Sequence, residues 1–299
     1  MVTSIGIRTV WILISLLQLT QALHFSSPLY LGFDYGTSGV RTCLIQQDKS
    51  ILHENSILWK DISKSDESSG RNPSYWIEAL YECMQAIPFT HRSQISRISI
   101  SGTSSTTLLY NQVSQPISRQ PCMYDYNVLQ GEYSQYGQQA METISRHCPP
   151  GSAANAPTST LAKLLMWHFH TPLLNSEVLL HQADYIVKEL VHKKFDNTEV
   201  FCSDWNNALK LGYDVYNLEY PKWLHTCLQD AAFPRRLEDV LPEVVEPGRP
   251  IGRISEAFIQ LGYSPACLVV GGTTDSIAAF LASGASEPGQ AVTSLGSTL

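Results

Sequence analysis

Two glycine-rich turns near opposite ends of the chain could each bind a phosphate group. The first reads Asp34-Tyr35-Gly36-Thr37-Ser38-Gly39, and the second reads Ser294-Leu295-Gly296-Ser297-Thr298. Each follows a predicted strand and combines glycine with small hydroxyl residues. Such a turn points several backbone N–H groups into one concavity, which suits an anion. We therefore expect the phosphates of a nucleotide to contact Gly36, Thr37, Ser38 and Gly39 in the first turn, and Gly296, Ser297 and Thr298 in the second.

A single carboxylate, that of Asp275, could take a proton from a hydroxyl group. It closes the segment Gly271-Gly272-Thr273-Thr274-Asp275 and precedes an alanine-containing helical stretch. Two anion-binding turns and one acid of this kind indicate phosphoryl transfer from a nucleotide to a hydroxyl, a reaction that depends on positioning and charge control. The local sequence also fits a second interpretation, in which Asp275 only caps the following helix and contributes about 1 kcal/mol.

The composition is typical of a globular protein and excludes two classes of partner. The 299 residues carry a net charge of -7. Nucleic acids and anionic membrane surfaces require concentrated Lys and Arg, and the densest basic run is only Lys193-Lys194. We therefore expect no nucleic-acid partner and no stable membrane association. The seven cysteines are irregularly spaced and include no C-x-x-C pair, which predicts free thiols.

Residues 1–28 are interpreted as a leader that takes no part in the fold. No Asp or Glu precedes Asp34, and Val10 to Leu17 form an apolar run that is too short to cross a bilayer of ~30 Å as a helix. The run fits the apolar core of a secretory signal with a cleavage site near Ala22. The acid-poor composition fits an organelle transit segment equally well, so both interpretations stay open.

The elements that must position these groups form a mixed α/β pattern. Three strands at hairpin spacing come first, and a helix begins at Asn72-Pro73. In a strong helix over residues 159–169, we expect Lys163 to lay its stem along apolar surface and to keep its amine in solvent. Prolines and a glycine at residues 242–250 indicate a hinge, and they divide the chain into domains of residues 29–246 and 247–299. The predicted strands comprise residues 29–34, 40–46, 51–58, 95–101, 106–110, 267–270 and 291–295.

Three motifs together resemble the FGGY carbohydrate kinases. They have the family's order and spacing, and they comprise Leu31 to Arg41, Val269 to Ala279 and Ser294 to Thr298. The resemblance implies the α/β, actin-like and ribonuclease H-like, two-lobed fold of a sugar kinase. An actin-like or Hsp70-like ATPase is disfavoured, because the G-G-x-x-D turn and the helix after it have the FGGY form.

The resemblance also implies roles for individual residues. It implies ATP as the phosphoryl donor, accompanied by Mg²⁺, which Asp34 approaches through water. Asp275 is implied as the general base, and both Asp34 and Asp275 are implied to contact the substrate. Thr103, Ser104 and Asp125 are implied to hold the hydroxyl groups of the sugar.

Two loops suggest which sugar this is. Gly102-Thr103-Ser104-Ser105-Thr106 replaces the Q-M-H-G type of loop that is typical of bacterial xylulose kinases, and Cys122-Met123-Tyr124-Asp125 stands where those enzymes have a Trp-Asn-Asp element. Both departures resemble a cyanobacterial and plant-plastid branch of D-ribulose kinases. The expected partner is therefore a small pentose or pentulose, with D-ribulose favoured and D-xylulose as the alternative.

The resemblance has consequences for completeness and location. The family continues beyond the second glycine turn, whereas this sequence ends at Leu299, which implies an incomplete second lobe. An alternative is therefore an inactive form that binds sugar without phosphorylating it. The plastid branch and the acid-poor leader favour a chloroplast location, with the cytoplasm or secretion as alternatives.

Overall fold

The computed structural model describes residues 27–62, 69–113, 117–233 and 236–293. The apolar run of the predicted leader and the second glycine turn, with Gly296, Ser297 and Thr298, lie outside these ranges. Within the described residues, no helix combines the length and the apolar character that a membrane crossing needs.

A three-stranded antiparallel hairpin opens the fold, as the sequence predicts. It consists of β1 (Leu29–Tyr35), β2 (Gly39–Ile45) and β3 (Ile51–Leu58). Alternate residues of β1 point into the core, because successive side chains of a strand lie on opposite faces of the sheet.

The hairpin belongs to a larger sheet, whose further strands are β4 (Ile95–Gly102), β9 (Pro250–Arg253) and β10 (Leu268–Thr274). The six strands have the order β3-β2-β1-β4-β10-β9. Strands β1, β4 and β10 are parallel, so their carboxyl ends meet at one edge of the sheet. The domain boundary between residues 246 and 247 stays a prediction, although this sheet takes strands from both sides of it.

Two helices pack against the sheet and against each other. Helix α2 (Pro73–Ala86) begins at Asn72, whose side chain accepts a hydrogen bond from the Ser74 N–H, and it buries Trp76 completely. Helix α6 (Gln182–Leu190) packs against β4, β10 and α2. The main hydrophobic core lies between these helices and the sheet.

A second hydrophobic core lies beside the first. It is formed by α4 (Ser134–His147), α5 (Thr160–His170) and α8 (Lys222–Asp230). The antiparallel pair β5 (Thr107–Asn111) and β6 (Glu177–His181) contributes residues to both cores. The remaining elements are α1 (Trp59–Ile62), α3 (Phe89–Arg92), β7 (Cys202–Asp204), α7 (Trp205–Ala208), β8 (Glu243–Val245), α9 (Glu256–Ile259) and α10 (Asp275–Ala282).

The segment expected to be a hinge is partly regular. Residues 243–245 form β8, which pairs in parallel with β7. The prolines therefore flank a short strand, which is compatible with their exclusion from the interior of a ladder.

Candidate active site

The first aspartate of the candidate site lies where β1, β4 and β10 end. In the sheet register, Asp34 of β1 is opposite Ser101 of β4, and Ser101 is opposite Thr273 of β10. The Ser101 hydroxyl donates a hydrogen bond of 3.1 Å to Asp34 Oδ1. On the other side, Arg41 of β2 is the cross-strand partner of Asp34, and its guanidinium lies 3.6 Å from Oδ2.

A bulge in β10 brings the second aspartate to the same edge. Val270 is opposite Ser99 and Thr273 is opposite Ser101, so β10 carries one residue more than β4 between these pairs. Gly272 makes this possible, since a Cβ at this position would lie 1.8 Å from the Ile100 carbonyl oxygen. Bulges of this kind re-aim the residues that follow them, here Thr274 and Asp275.

Asp275 is the first residue of α10 and is partly buried. The N-cap position belongs to Thr274, whose backbone is extended, so the interpretation of Asp275 as the N-cap is wrong. Burial raises the pKa of the Asp275 carboxyl, and the negative charge of Asp34 raises it further. The hydrogen bond of 2.7 Å from the Ser276 N–H to Asp275 Oδ1 acts in the opposite direction. The raised pKa makes this carboxylate a better proton acceptor than an isolated one.

The first glycine turn is well defined. The Gly36 N–H donates to the Gly39 carbonyl at 2.9 Å, and the Trp59 indole N–H donates to the Gly36 carbonyl at 3.1 Å. Thr37 and Ser38 are exposed at the tip, where a ligand can reach them. Gly36 and Gly39 do not have positive φ, so the turn does not require glycine for that reason. Gly39 is required instead by the close approach of β3.

Buried hydrogen bonds to Gln182 and Thr106 hold the loop over residues 102–106 in place. Thr103 is only 2% exposed, and its hydroxyl lies 2.5 Å from the Thr106 hydroxyl. It also donates to Gln182 Oε1 at 2.9 Å, and the Thr103 N–H donates to the same oxygen. Ser104 is partly exposed. The Thr103 side chain therefore fixes the loop, and the Ser104 side chain is the more accessible of the two predicted sugar ligands.

Asp125 is exposed and lines a cavity of about 820 Å³. Arg71, Tyr126 and Trp167 also line this cavity, whereas Asp34 and Asp275 do not. Asp34, Asp275 and the first glycine turn therefore lie at one edge of the sheet, whereas Asp125 lines a cavity whose lining does not include the other two aspartates. The sugar-binding role of Asp125 stays a prediction.

Lys163 is buried, which corrects the expectation that its amine lies in solvent. Its relative exposure is 0%, and Nζ donates to the carbonyl oxygens of Ser105 and Met123 at 2.6 and 2.7 Å. Burial lowers the pKa of this amine to about 8. The sequence did contain a signal, because Thr160 to Trp167 is apolar on nearly every side, as expected for a helix inside the protein.

The sequence reasoning missed other residues that support the site. Gln182 holds the 102–106 loop, and Ser101 bonds to Asp34. In α7, the Asn206 side-chain amide donates to the Thr273 hydroxyl at 2.8 Å, which supports β10 next to its bulge. Each of these contacts joins distant parts of the chain, so local spacing did not reveal them.

The donor set at this edge fits an Mg²⁺ ion that arrives with a nucleotide. Asp34 and Asp275 are close enough for the charge of one to raise the pKa of the other, and a cation would relieve this repulsion. Mg²⁺ keeps several waters and uses one or two carboxylates together with substrate phosphates. The described residues contain no cluster of three or more His, Cys, Asp or Glu side chains suited to a resident metal.

Solved structures share this fold. A xylulose kinase from Bifidobacterium adolescentis superposes with a TM-score of 0.66 at 15% identity, over 87% of this chain and 56% of that one. Glycerol kinase from Plasmodium falciparum, solved with ADP, gives 0.63 at 13% identity over 84% and 49% of the two chains. The fold is therefore the mixed α/β fold of the sugar kinases.

The sequence itself identifies the family to which the chain belongs. The profile of the N-terminal domain of the FGGY family of carbohydrate kinases matches residues 29–282, and the chain belongs to this family. Xylulose kinase from Haemophilus influenzae is 22% identical over 290 residues, which are 90% of this chain and 55% of that enzyme. The chain thus spans about half the length of the relatives that it matches.

Proposed function

We propose that this chain carries the sugar- and phosphate-binding part of an ATP-dependent pentulose kinase in which Asp275 is the general base. The observation that carries the proposal is the pair of aspartates at the joined ends of β1, β4 and β10. Of the two, Asp275 has a pKa that is raised by burial and by its neighbour. Family membership supports the reaction class.

In the proposed reaction, Asp275, Asp34 and the first glycine turn each have a separate role. The carboxylate of Asp275 takes the proton from the terminal hydroxyl of the sugar as that oxygen attacks the γ-phosphorus of ATP, and ADP leaves. Asp34 would hold Mg²⁺ through water, and the ion would offset the charge of the phosphates. Thr37 and Ser38, at the exposed tip of the first turn, lie where N–H and hydroxyl groups can contact a phosphate.

We propose D-ribulose as the substrate and D-xylulose as the second candidate. The loops at residues 102–106 and 122–125 favour D-ribulose, since they depart from the pattern of typical bacterial xylulose kinases. The second candidate is favoured by relatives, because the matched proteins from H. influenzae and B. adolescentis are xylulose kinases. These sugars differ at one hydroxyl-bearing carbon, so the hydrogen bonds made by the site decide between them.

A coupled assay of ADP formation tests the proposal. The chain is incubated with ATP, Mg²⁺ and either D-ribulose, D-xylulose, glycerol or gluconate, next to Asp275→Asn as the matched control. We expect turnover with a pentulose, and we expect the variant to lose about 10²- to 10⁴-fold in kcat because it cannot accept the proton. Equal activity of the variant would refute Asp275 as the base.

A second experiment, read beside the ADP assay, addresses the alternative of a form that only binds sugar. Calorimetric titration with each sugar in the absence of ATP gives affinity without turnover. Sugar affinity with no ADP formation would favour the binding form over the kinase. ADP formation that is independent of every sugar would contradict both.

A further inference from the structure

One buried amine joins the two segments that were predicted to bind the sugar. Lys163 Nζ donates to the carbonyl oxygen of Ser105 in the 102–106 loop and to that of Met123 in the 122–125 segment. The two segments also meet through the backbone, where Thr107 and Cys122 exchange two hydrogen bonds of 2.9 Å. The lysine bonds to carbonyls just beyond this bridge, where both segments leave it.

The first of these carbonyls belongs to a residue with an unfavourable backbone. Ser105 has a φ of +68°, in the left-handed region that costs a non-glycine residue free energy. Its hydroxyl donates to the Thr158 carbonyl at 2.7 Å, and its own carbonyl accepts from Lys163. Such a conformation persists only where the surroundings hold it, and these contacts do so together with the Thr107 hydroxyl, which also donates to the Ser105 carbonyl at 2.9 Å.

The surroundings of the amine argue against a role in a simple ion pair. Among the described residues, no carboxylate lies within 4.0 Å of Lys163 Nζ. Asp125 acts on it only as a more distant charge, together with Cys122 and Lys210. A buried amine is costly unless it is hydrogen-bonded, so the two carbonyl bonds are what stabilise it in this position.

We propose that Lys163 is a positioning residue that fixes the two sugar-binding segments relative to each other and thereby sets the affinity for the pentulose. The identity of the ligand in this inference rests on the proposed function, whereas the link that Lys163 makes between the two segments does not. Lys163 affects sugar binding indirectly, through the segments that carry Ser104 and Asp125. Its removal therefore loosens both segments together, while the sheet edge with Asp34 stays in place.

The test compares Lys163→Met, which keeps an unbranched side chain one atom shorter and removes the donors, with Lys193→Met. Lys193 is exposed and lies outside both segments, so it is the matched control. Hydrogen exchange followed by mass spectrometry reports on residues 102–107 and 121–127, with β1 as the internal reference. Calorimetry without ATP measures the dissociation constants for D-ribulose and D-xylulose.

We expect exchange in both segments to accelerate at least about tenfold in Lys163→Met, with β1 unchanged, and sugar affinity to fall by a similar factor. This factor corresponds to the loss of one hydrogen bond to a charged group. Unchanged exchange, faster exchange in one segment only, or faster exchange throughout β1 would overturn the inference. An unchanged sugar affinity in a variant whose two segments exchange faster would also overturn the inference.

Failure of the proposed function and failure of the positioning role can be distinguished. If the unaltered chain binds no pentulose, the proposed function fails, and the exchange data alone decide whether Lys163 links the segments. If Lys163→Met does not fold, Lys163→Gln, which keeps an amide donor, is measured in the same way. Failure of both variants to fold beside a folded Lys193→Met would overturn a positioning role, because Lys163 would then serve the fold as a whole.

Discussion

Replacing Gly272 by alanine should destabilise the protein by about 3 kcal/mol, because β10 has no room for a side chain at its bulge. The new Cβ would lie 1.8 Å from the Ile100 carbonyl oxygen, and it would have to move by about 1.2 Å to reach the shortest distance, 3.0 Å, that real Cβ atoms show. The obstacle is backbone, so it cannot rotate away. Overpacking of this kind costs about 1–3 kcal/mol, and the displaced strands lose hydrogen bonds worth about 1 kcal/mol each.

Gly32→Ala is the matched control in the neighbouring part of the same sheet. Gly32 is exposed on β1, and its nearest neighbour to an added Cβ is the Cys43 carbonyl oxygen at 4.0 Å. Because the side chain fits there, we expect a change within about 0.5 kcal/mol, or a small gain from a less flexible unfolded chain. Urea unfolding followed by circular dichroism gives the free energy of unfolding of both variants.

The comparison separates the structural argument from a general effect of replacing glycine in a strand. If Gly272→Ala and Gly32→Ala unfold with free energies that differ by less than about 0.5 kcal/mol, the bulge does not need glycine and the reasoning is refuted. Under the proposed function, Gly272→Ala should also lower kcat, because Asp275 follows the bulge by three residues.

Three smaller changes test other contacts. Burial lowers the pKa of Lys163 to about 8, so the unfolded chain binds more protons than the folded one between that pH and about 10.5. Lys163 should therefore make stability rise by up to ~3 kcal/mol over this range, and Lys163→Met should lack the rise when both proteins are unfolded in urea at pH 7.5 and pH 10. Arg41→Ala should change the free energy of unfolding by less than about 0.5 kcal/mol, since Arg41 is 67% exposed in its pair with Asp34, and a loss above 1 kcal/mol would contradict this. Trp59→Phe removes the indole donor of the Gly36 carbonyl and should cost about 1 kcal/mol in urea unfolding and weaken ATP binding in a titration; unchanged values in both would show that the turn does not depend on it.

Local patterns predicted the elements well where the signal was strong. The hairpin over residues 29–58 and the helix after Ser159 are confirmed to within a residue or two. Alternating burial, turn residues and an N-cap serine act within a few positions of the chain, so the sequence shows them directly. Helix α9 is only a single turn, Glu256–Ile259, and the chain turns away soon after it at Gly262, which has positive φ.

The candidate site was predictable only in part. Asp34 and Asp275 were expected together only through the family resemblance, which implies that both contact the substrate, and the structure adds that the parallel strands before them end at one edge of the sheet. The Lys163 amine was expected in solvent and faces the protein interior instead, and the Thr103 hydroxyl, whose contact with the sugar stays a prediction, bonds to Gln182 and Thr106. Their partners, Gln182 and the Ser105 and Met123 carbonyls, are distant along the chain, and side-chain direction at such contacts depends on tertiary packing.

The position of Asp275 is set by its strand rather than by its helix. None of the residues of α10 is buried, and Leu281 is 60% exposed, so this helix contributes little packing that could orient its first residue. The helix N-terminus and the Ser276 N–H favour the charged carboxylate, yet burial and Asp34 outweigh them and the pKa is raised. Asp275 follows the β10 bulge, and Gly272 allows this bulge because it leaves room for the Ile100 carbonyl oxygen. We therefore expect a change at Gly272 to affect both the stability of the sheet and the surroundings of Asp275.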